Sequence, residues 1–111
     1  MSYINEIKNE LDSLKEIILE KVPTEQIWLF GSYAYGTPTN DSDIDIYIVM
    51  KDDAKMRNAD ALDLVNYERF KRKILDKSID ILATTQNQFN YRAENFSMEN
   101  KIKKDGVKIY G

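Results

Sequence analysis

Residues 26–50 read QIWLFGSYAYGTPTNDSDIDIYIVM, with two apolar runs on either side of a segment rich in turn-forming residues. The first run, residues 26–30, predicts a short buried strand. Residues 31–40 hold two glycines, a proline and two threonines, which predict a turn with a short helix beginning near Ser32. Residues 43–50 alternate at first and then become continuously apolar, so they predict a strand that starts at a site and ends in the core.

The rest of the chain predicts three helices and a third strand around these two. A polar run at residues 51–60 is compatible with a loop and leaves the start of the second helix open. The order of elements favours an α/β (α+β) fold, in which helices flank a small mixed sheet. The first predicted helix is capped by Ser2 and stopped by Pro23. The second covers residues 54–75, with Leu75 as its last apolar residue, and a strand follows over residues 78–84. The final helix covers residues 86–104, and Gly106 ends it before a short extension.

The composition restricts the chemistry that the chain can carry. Of its 111 residues, 42% are hydrophobic, which is enough for one core, and residues 1–111 are therefore expected to form a single domain. The chain has no cysteine and no histidine, so a metal site must use oxygen ligands and favours magnesium over zinc. A net charge of −3 makes a nucleic acid an unlikely direct partner. No apolar run could span a membrane and no signal sequence is evident, so we expect a cytoplasmic protein.

Three acids stand where the pattern predicts strands. Residues two apart on a strand point to the same side, with Cα atoms about 6.5 Å apart, so Asp43 and Asp45 can converge on one cation or on two neighbouring ones. Their mutual repulsion would cost about 4 kcal/mol at a separation of ~4 Å, and a divalent cation would reverse it. Asp80 would complete the ligand set if its strand lies beside the second. Gly31 and Ser32 follow the first strand directly and predict a phosphate-binding turn.

Gly31-Ser32, ten intervening residues and Asp43-Ile44-Asp45 resemble the GS-x10-DxD signature of the minimal nucleotidyltransferases of the polymerase-β superfamily. Residues 42–46, SDIDI, resemble the SDIDL-type strand of that family. The resemblance implies the polymerase-β-like fold and the transfer of a nucleoside monophosphate, AMP from ATP being the first expectation. It assigns one or two magnesium ions to Asp43, Asp45 and Asp80, with Asp80 also the candidate base for the incoming hydroxyl. It assigns the nucleotide and its phosphates to Gly31, Ser32, Tyr35, Gly36 and Ser42.

One motif position departs from the family pattern. Many members carry a basic residue just before the second glycine, where this chain has Tyr35 before Gly36. The lost charge would weaken binding of the triphosphate or indicate a different acceptor. Lys51 and Lys55 are candidates to replace it.

The brevity of the chain is similar to that of the antitoxin in MNT–HEPN toxin–antitoxin pairs. In those pairs the small nucleotidyltransferase binds a helical HEPN ribonuclease and modifies one of its tyrosines. This resemblance implies a protein adenylyltransferase-like enzyme with a HEPN toxin as partner and acceptor. Two alternatives stay open: modification of a small molecule such as an aminoglycoside, and a non-catalytic module that neutralises its partner by contact.

Several other residues have simpler interpretations. Asp41 is expected to be a loop acid, and Trp28 to belong to the core. Tyr33 and Tyr35 could contact a base or ribose, although ordinary packing is at least as well supported. The basic residues between 69 and 73 favour a solvated face over a nucleic-acid interface because acids flank them. The final set comprises the apolar residues of the last predicted helix, which fit either the core or a partner: Phe89, Tyr91, Phe96 and Met98.

Overall fold

The computed structural model describes residues 3–74 and 77–111, in which a mixed sheet of four strands carries helices on both faces. The predicted α/β class is confirmed. Ser2, the expected cap, and Leu75, the expected end of the second helix, lie outside the described residues. After a 3-10 turn at Tyr3–Ile7, the elements are α1 (Lys8–Lys21), β1 (Thr24–Phe30), α2 (Ser32–Tyr35), β2 (Ile44–Met50), α3 (Asn58–Lys71), β3 (Ile79–Thr85), α4 (Gln86–Ala93), α5 (Met98–Asp105) and β4 (Val107–Tyr110).

The strands lie in the order β3-β2-β1-β4, so β3 and β4 form the edges of the sheet. β1 pairs antiparallel with β2 and with β4, whereas β2 and β3 are parallel. A parallel pair needs a long crossover connection, which α3 provides. The short extension predicted after Gly106 is the strand β4, because its Val107 pairs with Leu29 of β1. Four residues were too few to show the alternation that marks a strand.

Successive residues of a strand face opposite sides, and the two faces of this sheet cover two apolar layers. The larger layer lies against α1 and α3 and includes these strand residues: Ile27, Leu29, Ile44, Ile46 and Ile48. The smaller layer lies against α4 and α5 and consists of these buried residues: Trp28, Tyr47, Val49, Phe89 and Ile102. Trp28 is thus a core residue, as predicted. Asp45 lies two residues before Tyr47, which places it on the face of the smaller layer.

The helix predicted over residues 86–104 was wrong in one respect, because two helices occupy this segment. Ser97 separates them: its Oγ donates to the carbonyl of Arg92 at 2.6 Å and accepts from the amide of Asn100 at 3.1 Å. It therefore caps the start of α5. The apolar spacing continues across the break, so periodicity alone predicted one helix.

The second predicted helix is shorter than expected. It begins after Arg57, whose amide donates to the carboxylate of Asp60 at 3.2 Å, and it ends at Lys71. The polar residues before it form a loop. Within residues 3–74 and 77–111, no helix has both the length and the apolar character needed to cross a bilayer.

Candidate active site

The turn between β1 and α2 requires glycine at its first position. Gly31 has φ 74° and ψ −156°, a conformation that is essentially restricted to glycine. Its carbonyl accepts hydrogen bonds from the amides of Ala34 and Tyr35 at 3.0 and 2.9 Å, which closes the short helix. A Cβ placed on Gly31 would collide with Oδ2 of Asp45. The predicted phosphate turn and the second predicted acid are therefore in direct contact.

Two of the three predicted acids lie side by side across the sheet. Asp45 and Asp80 occupy the same register position of the parallel pair β2–β3, and Ile44 pairs with Ile79. Residues in register on adjacent strands point to the same face, about 4.8 Å apart along the hydrogen-bonding direction. Asp43 lies one residue before β2 and is exposed. The expectation that the third strand lies beside the second is confirmed.

The electrostatics of Asp45 fit a cation. Partial burial raises the pKa of its carboxyl to about 6, and the charges of Asp80 and Asp43 add to the rise. The charges of Asp80 and Asp43 thus act on Asp45, and a divalent cation bound by oxygen ligands would relieve both the desolvation and the repulsion that Asp45 experiences. Within residues 3–74 and 77–111, no three acidic side chains approach closely enough to form a ready-made metal site. The assignment of magnesium to these acids stays a prediction.

The other predicted nucleotide-binding positions lie around the same turn. Ser32 is exposed at the start of α2, and the amide of Gly36 donates to its carbonyl at 3.0 Å. The Oγ of Ser42 accepts from the amide of Thr39 at 2.8 Å, so it holds the loop that leads into β2. Their roles toward a nucleotide stay predictions, and the bond made by Ser42 also gives it a structural role.

Tyr35 brings an unpredicted helix to the site. Its ring lies 4.8 Å from the ammonium of Lys101 on α5, and that ammonium donates to Asp105 at 2.9 Å. Partial burial raises the pKa of the Tyr35 hydroxyl, and the charges of Asp105 and Asp45 raise it further. The C-terminal half of α5 therefore borders the face of the sheet that carries Asp45 and Asp80, here called the acidic face. Sequence reasoning missed these residues because no local pattern joins positions 66 residues apart.

The lysines that sequence reasoning offered in place of a basic motif residue do not reach this site. Lys51 directly follows the last residue of β2, which puts its Cα about 20 Å along the strand from Asp45. Lys55 belongs to the loop after that end. The proposal that either replaces the missing charge is therefore wrong on distance.

Two further predictions are settled by burial. Tyr33 packs in the larger layer, where its hydroxyl accepts from Lys77 at 2.9 Å. The basic segment near the end of α3 is not a uniformly solvated face, because Arg69 is buried. Arg72 bonds to Glu68 and Glu20 at 3.1 Å each, which joins α3 to α1. Arg72 thus supports the fold with its charge compensated by acids, whereas Arg69 donates to neutral oxygens, the side-chain carbonyl of Asn66 and the backbone carbonyl of Lys77.

A strand, a glycine turn and a short helix, facing acids in register on two parallel strands, define a nucleotidyltransferase fold. The chain belongs to the nucleotidyltransferase domain family, whose model matches residues 11–109. It is thus a nucleotidyltransferase, as the sequence predicted.

A known protein of similar sequence agrees with this assignment, and solved structures agree with the fold. The chain is 35% identical over 83 residues to "Putative protein adenylyltransferase MJ1379" of Methanocaldococcus jannaschii. The aligned region covers 75% of this chain and 80% of that protein. The fold is similar to that of a crystal structure of a "putative nucleotidyltransferase" from Sulfolobus solfataricus, with a TM-score of 0.63 and 20% identity over 96% of this chain and 81% of that one. A structure described as "the toxin-antitoxin with AMP-PNP" has a TM-score of 0.59 and 23% identity, over 93% and 72% of the two chains.

Proposed function

We propose that this chain transfers AMP from ATP to a hydroxyl group of a protein partner, in a magnesium-dependent reaction. The observation that carries the proposal is the contact of Gly31 with the carboxylate of Asp45, which itself lies in register with Asp80. This arrangement of Gly31, Asp45 and Asp80 puts a turn suited to phosphate beside acids suited to a divalent cation. Transfer of a nucleotidyl group needs mainly such positioning and neutralisation of charge.

The reaction can be followed through the residues of the chain. The acceptor oxygen forms a bond to the α-phosphorus of ATP as the bond to the bridging oxygen of the β-phosphate breaks, and pyrophosphate leaves. The proton of the acceptor hydroxyl passes to the carboxylate of Asp80. Gly31 allows the backbone to approach the phosphates closely, and Ser32 can donate a hydroxyl hydrogen bond to them. Magnesium held by Asp43, Asp45 and Asp80 would neutralise charge on the phosphates.

The position of Asp80 suits an acceptor that belongs to a macromolecule. Asp80 is exposed on β3, which is an edge strand of the sheet. A bulky acceptor can approach an exposed edge without a binding pocket in this chain. The similarity to a protein named as a putative protein adenylyltransferase supports the same class of acceptor.

The partner we propose is a HEPN-family toxin, which this chain would modify on a tyrosine and thereby act as an antitoxin. The similarity to a structure described as a toxin–antitoxin with AMP-PNP, an ATP analogue, supports a toxin as the partner. Exposed apolar side chains near the break between α4 and α5 give a protein partner something to cover. Tyr91 is 65% exposed, Phe96 is fully exposed and Met98 is 51% exposed, whereas Phe89 belongs to the core.

The test is to incubate the purified protein with α-labelled ATP, magnesium and a co-expressed HEPN protein, then locate the label by mass spectrometry. We expect AMP on a tyrosine of the HEPN protein, and no transfer by the Asp45→Asn variant. The Asp41→Asn variant is the matched control, because Asp41 is an exposed loop acid. A tight complex without transfer would instead indicate a non-catalytic module. In a parallel reaction to which an aminoglycoside is added, label on the aminoglycoside and none on the HEPN protein would indicate the small-molecule alternative.

A further inference from the structure

The candidate site has a large negative charge to balance. A nucleoside triphosphate would bring its phosphate charges to a turn that already contacts Asp45, which lies in register with Asp80. A bound cation offsets only part of this charge, so a basic side chain near the turn is needed as well. The lysines that contact α2 are therefore the places to look.

In the described part of the chain, two lysines contact α2 from opposite sides. Lys77 donates to the hydroxyl of Tyr33, which packs in the larger layer away from Asp45. Lys101 instead lies over the ring of Tyr35, 4.8 Å from its centroid. The charge of Asp45 acts on Tyr35. Lys101 is thus the lysine that borders the acidic face.

The helix that carries Lys101 is fixed on both sides of that residue. Before it, Glu99 is buried and accepts a hydrogen bond from the hydroxyl of Tyr47 at 2.8 Å. After it, Ile102 packs in the smaller layer, and Gly106 leads directly into β4. Gly106 lies so close to β1 that a Cβ there would be 3.2 Å from the carbonyl oxygen of Leu29. The backbone of Lys101 therefore has a set position beside the end of β1.

The side chain of Lys101 can exchange its present partner for a phosphate. Its bond to Asp105 joins two side chains that are 55% and 53% exposed, and exposed ion pairs of this kind contribute little stability. A phosphate presents more charge than one carboxylate, and the flexible lysine stem leaves the ammonium free to turn toward it. The ring of Tyr35 would support the ammonium from below.

We propose that Lys101 is a phosphate-binding residue of the nucleotide site, with its ammonium held over the Tyr35 ring and directed to the polyphosphate of a nucleoside triphosphate. The inference rests on the proposed function, because it takes the Gly31 turn as the nucleotide site. It adds a residue from the last helix, which none of the predicted positions includes.

The test compares the affinities for ATP and AMP, measured by calorimetry in magnesium-containing buffer. Lys101→Met should weaken ATP binding about tenfold and AMP binding by less than about threefold, since AMP lacks the outer phosphates. Lys101→Arg should retain most of the ATP affinity. The matched control is Lys103→Met. Lys103 is exposed on the same helix, but it lies two residues after Lys101 and therefore points to a different side of the helix. Thermal melting of each variant checks that it is folded.

Failure of this inference can be told apart from failure of the proposed function. If the wild-type protein binds ATP and Lys101→Met binds it equally well, the role of Lys101 is wrong and the proposed function stands. Equal losses for ATP and AMP would also overturn the role of Lys101, because the effect would not concern the outer phosphates. If the wild-type protein binds no nucleotide, the proposed function itself fails.

Discussion

Asp45 of β2 and Asp80 of β3 occupy the same register position of a parallel strand pair, and the residues beside them, Ile44 and Ile79, also pair with each other. The isoleucines pack with the larger apolar layer, so the two acids face the other way. A single arrangement of two strands therefore fixes both part of the core and the spacing of the candidate catalytic acids.

The first prediction concerns these acids. Asp45→Asn and Asp80→Asn should each lower the rate of AMP transfer by about a hundredfold or more, since a metal ligand or a general base is removed. Asp41→Asn should leave the rate unchanged. Transfer rates at saturating ATP and magnesium are the measurement. A variant of either strand acid that keeps its full rate would remove that acid from the mechanism.

The second prediction concerns the glycine of the turn. Gly31→Ala should destabilise the fold by about 1–3 kcal/mol, because the backbone conformation is one that L-residues rarely adopt and the new Cβ would collide with Asp45. Gly36→Ala is the matched control, since its Cβ would meet nothing closer than 3.7 Å. Urea denaturation gives both free energies of unfolding. Equal stability of the two variants would mean that the turn can relax without strain.

The third prediction uses the pKa of Asp45, which is raised to about 6 in the folded state. The folded protein thus holds this proton more tightly than the unfolded chain, whose aspartates titrate at about pH 3.9. The associated stability is present below about pH 4 and is lost as the pH rises through about 6. Without magnesium, Asp45→Asn should therefore be more stable than wild type by about 1 kcal/mol at pH 7.5, a value reduced for solvent screening.

This stability difference should shrink toward zero at pH 4, where both side chains are neutral. Urea denaturation in EDTA at the two pH values provides the measurement, and Asp41→Asn serves as the reference substitution in an exposed loop. If Asp45→Asn and wild type had equal stability at pH 7.5, the burial of Asp45 and the charges of Asp80 and Asp43 would together be too weak to affect stability.

The sequence was sufficient for the parts of the site that local patterns encode. Alternation placed Asp45 and Asp80 on strands, and the turn chemistry of residues 31–40 placed a short helix at Ser32. Each of these signals lies within a few neighbouring residues, which is where strand and turn preferences act.

The contribution of α5 could not be read in the same way. The contact of Lys101 with Tyr35 depends on how the last helix packs on the sheet, and that packing depends on Ser97 interrupting an otherwise continuous apolar pattern. β4 was missed for a related reason, because its pairing with β1 and not its own pattern makes it a strand. Tertiary contacts of this kind leave no periodic trace in the sequence.

The last prediction tests how α5 is held in place. Burial raises the pKa of Tyr47 far above its usual range, and the hydrogen bond to Glu99 adds to this, so the hydroxyl stays a neutral donor at any working pH. Tyr47→Phe should lower the free energy of unfolding by about 1–2 kcal/mol, because it leaves a buried carboxylate without one of its hydrogen bonds. Tyr91→Phe is the matched control, since that ring is 65% exposed and its change should have almost no effect.

A double-mutant cycle with Glu99→Gln, measured by urea denaturation, should give a coupling of about 1 kcal/mol. If α5 depends on this bond, Tyr47→Phe should also weaken ATP binding while Tyr91→Phe does not, and additive effects in the cycle would show that the bond between Tyr47 and Glu99 does not hold the helix.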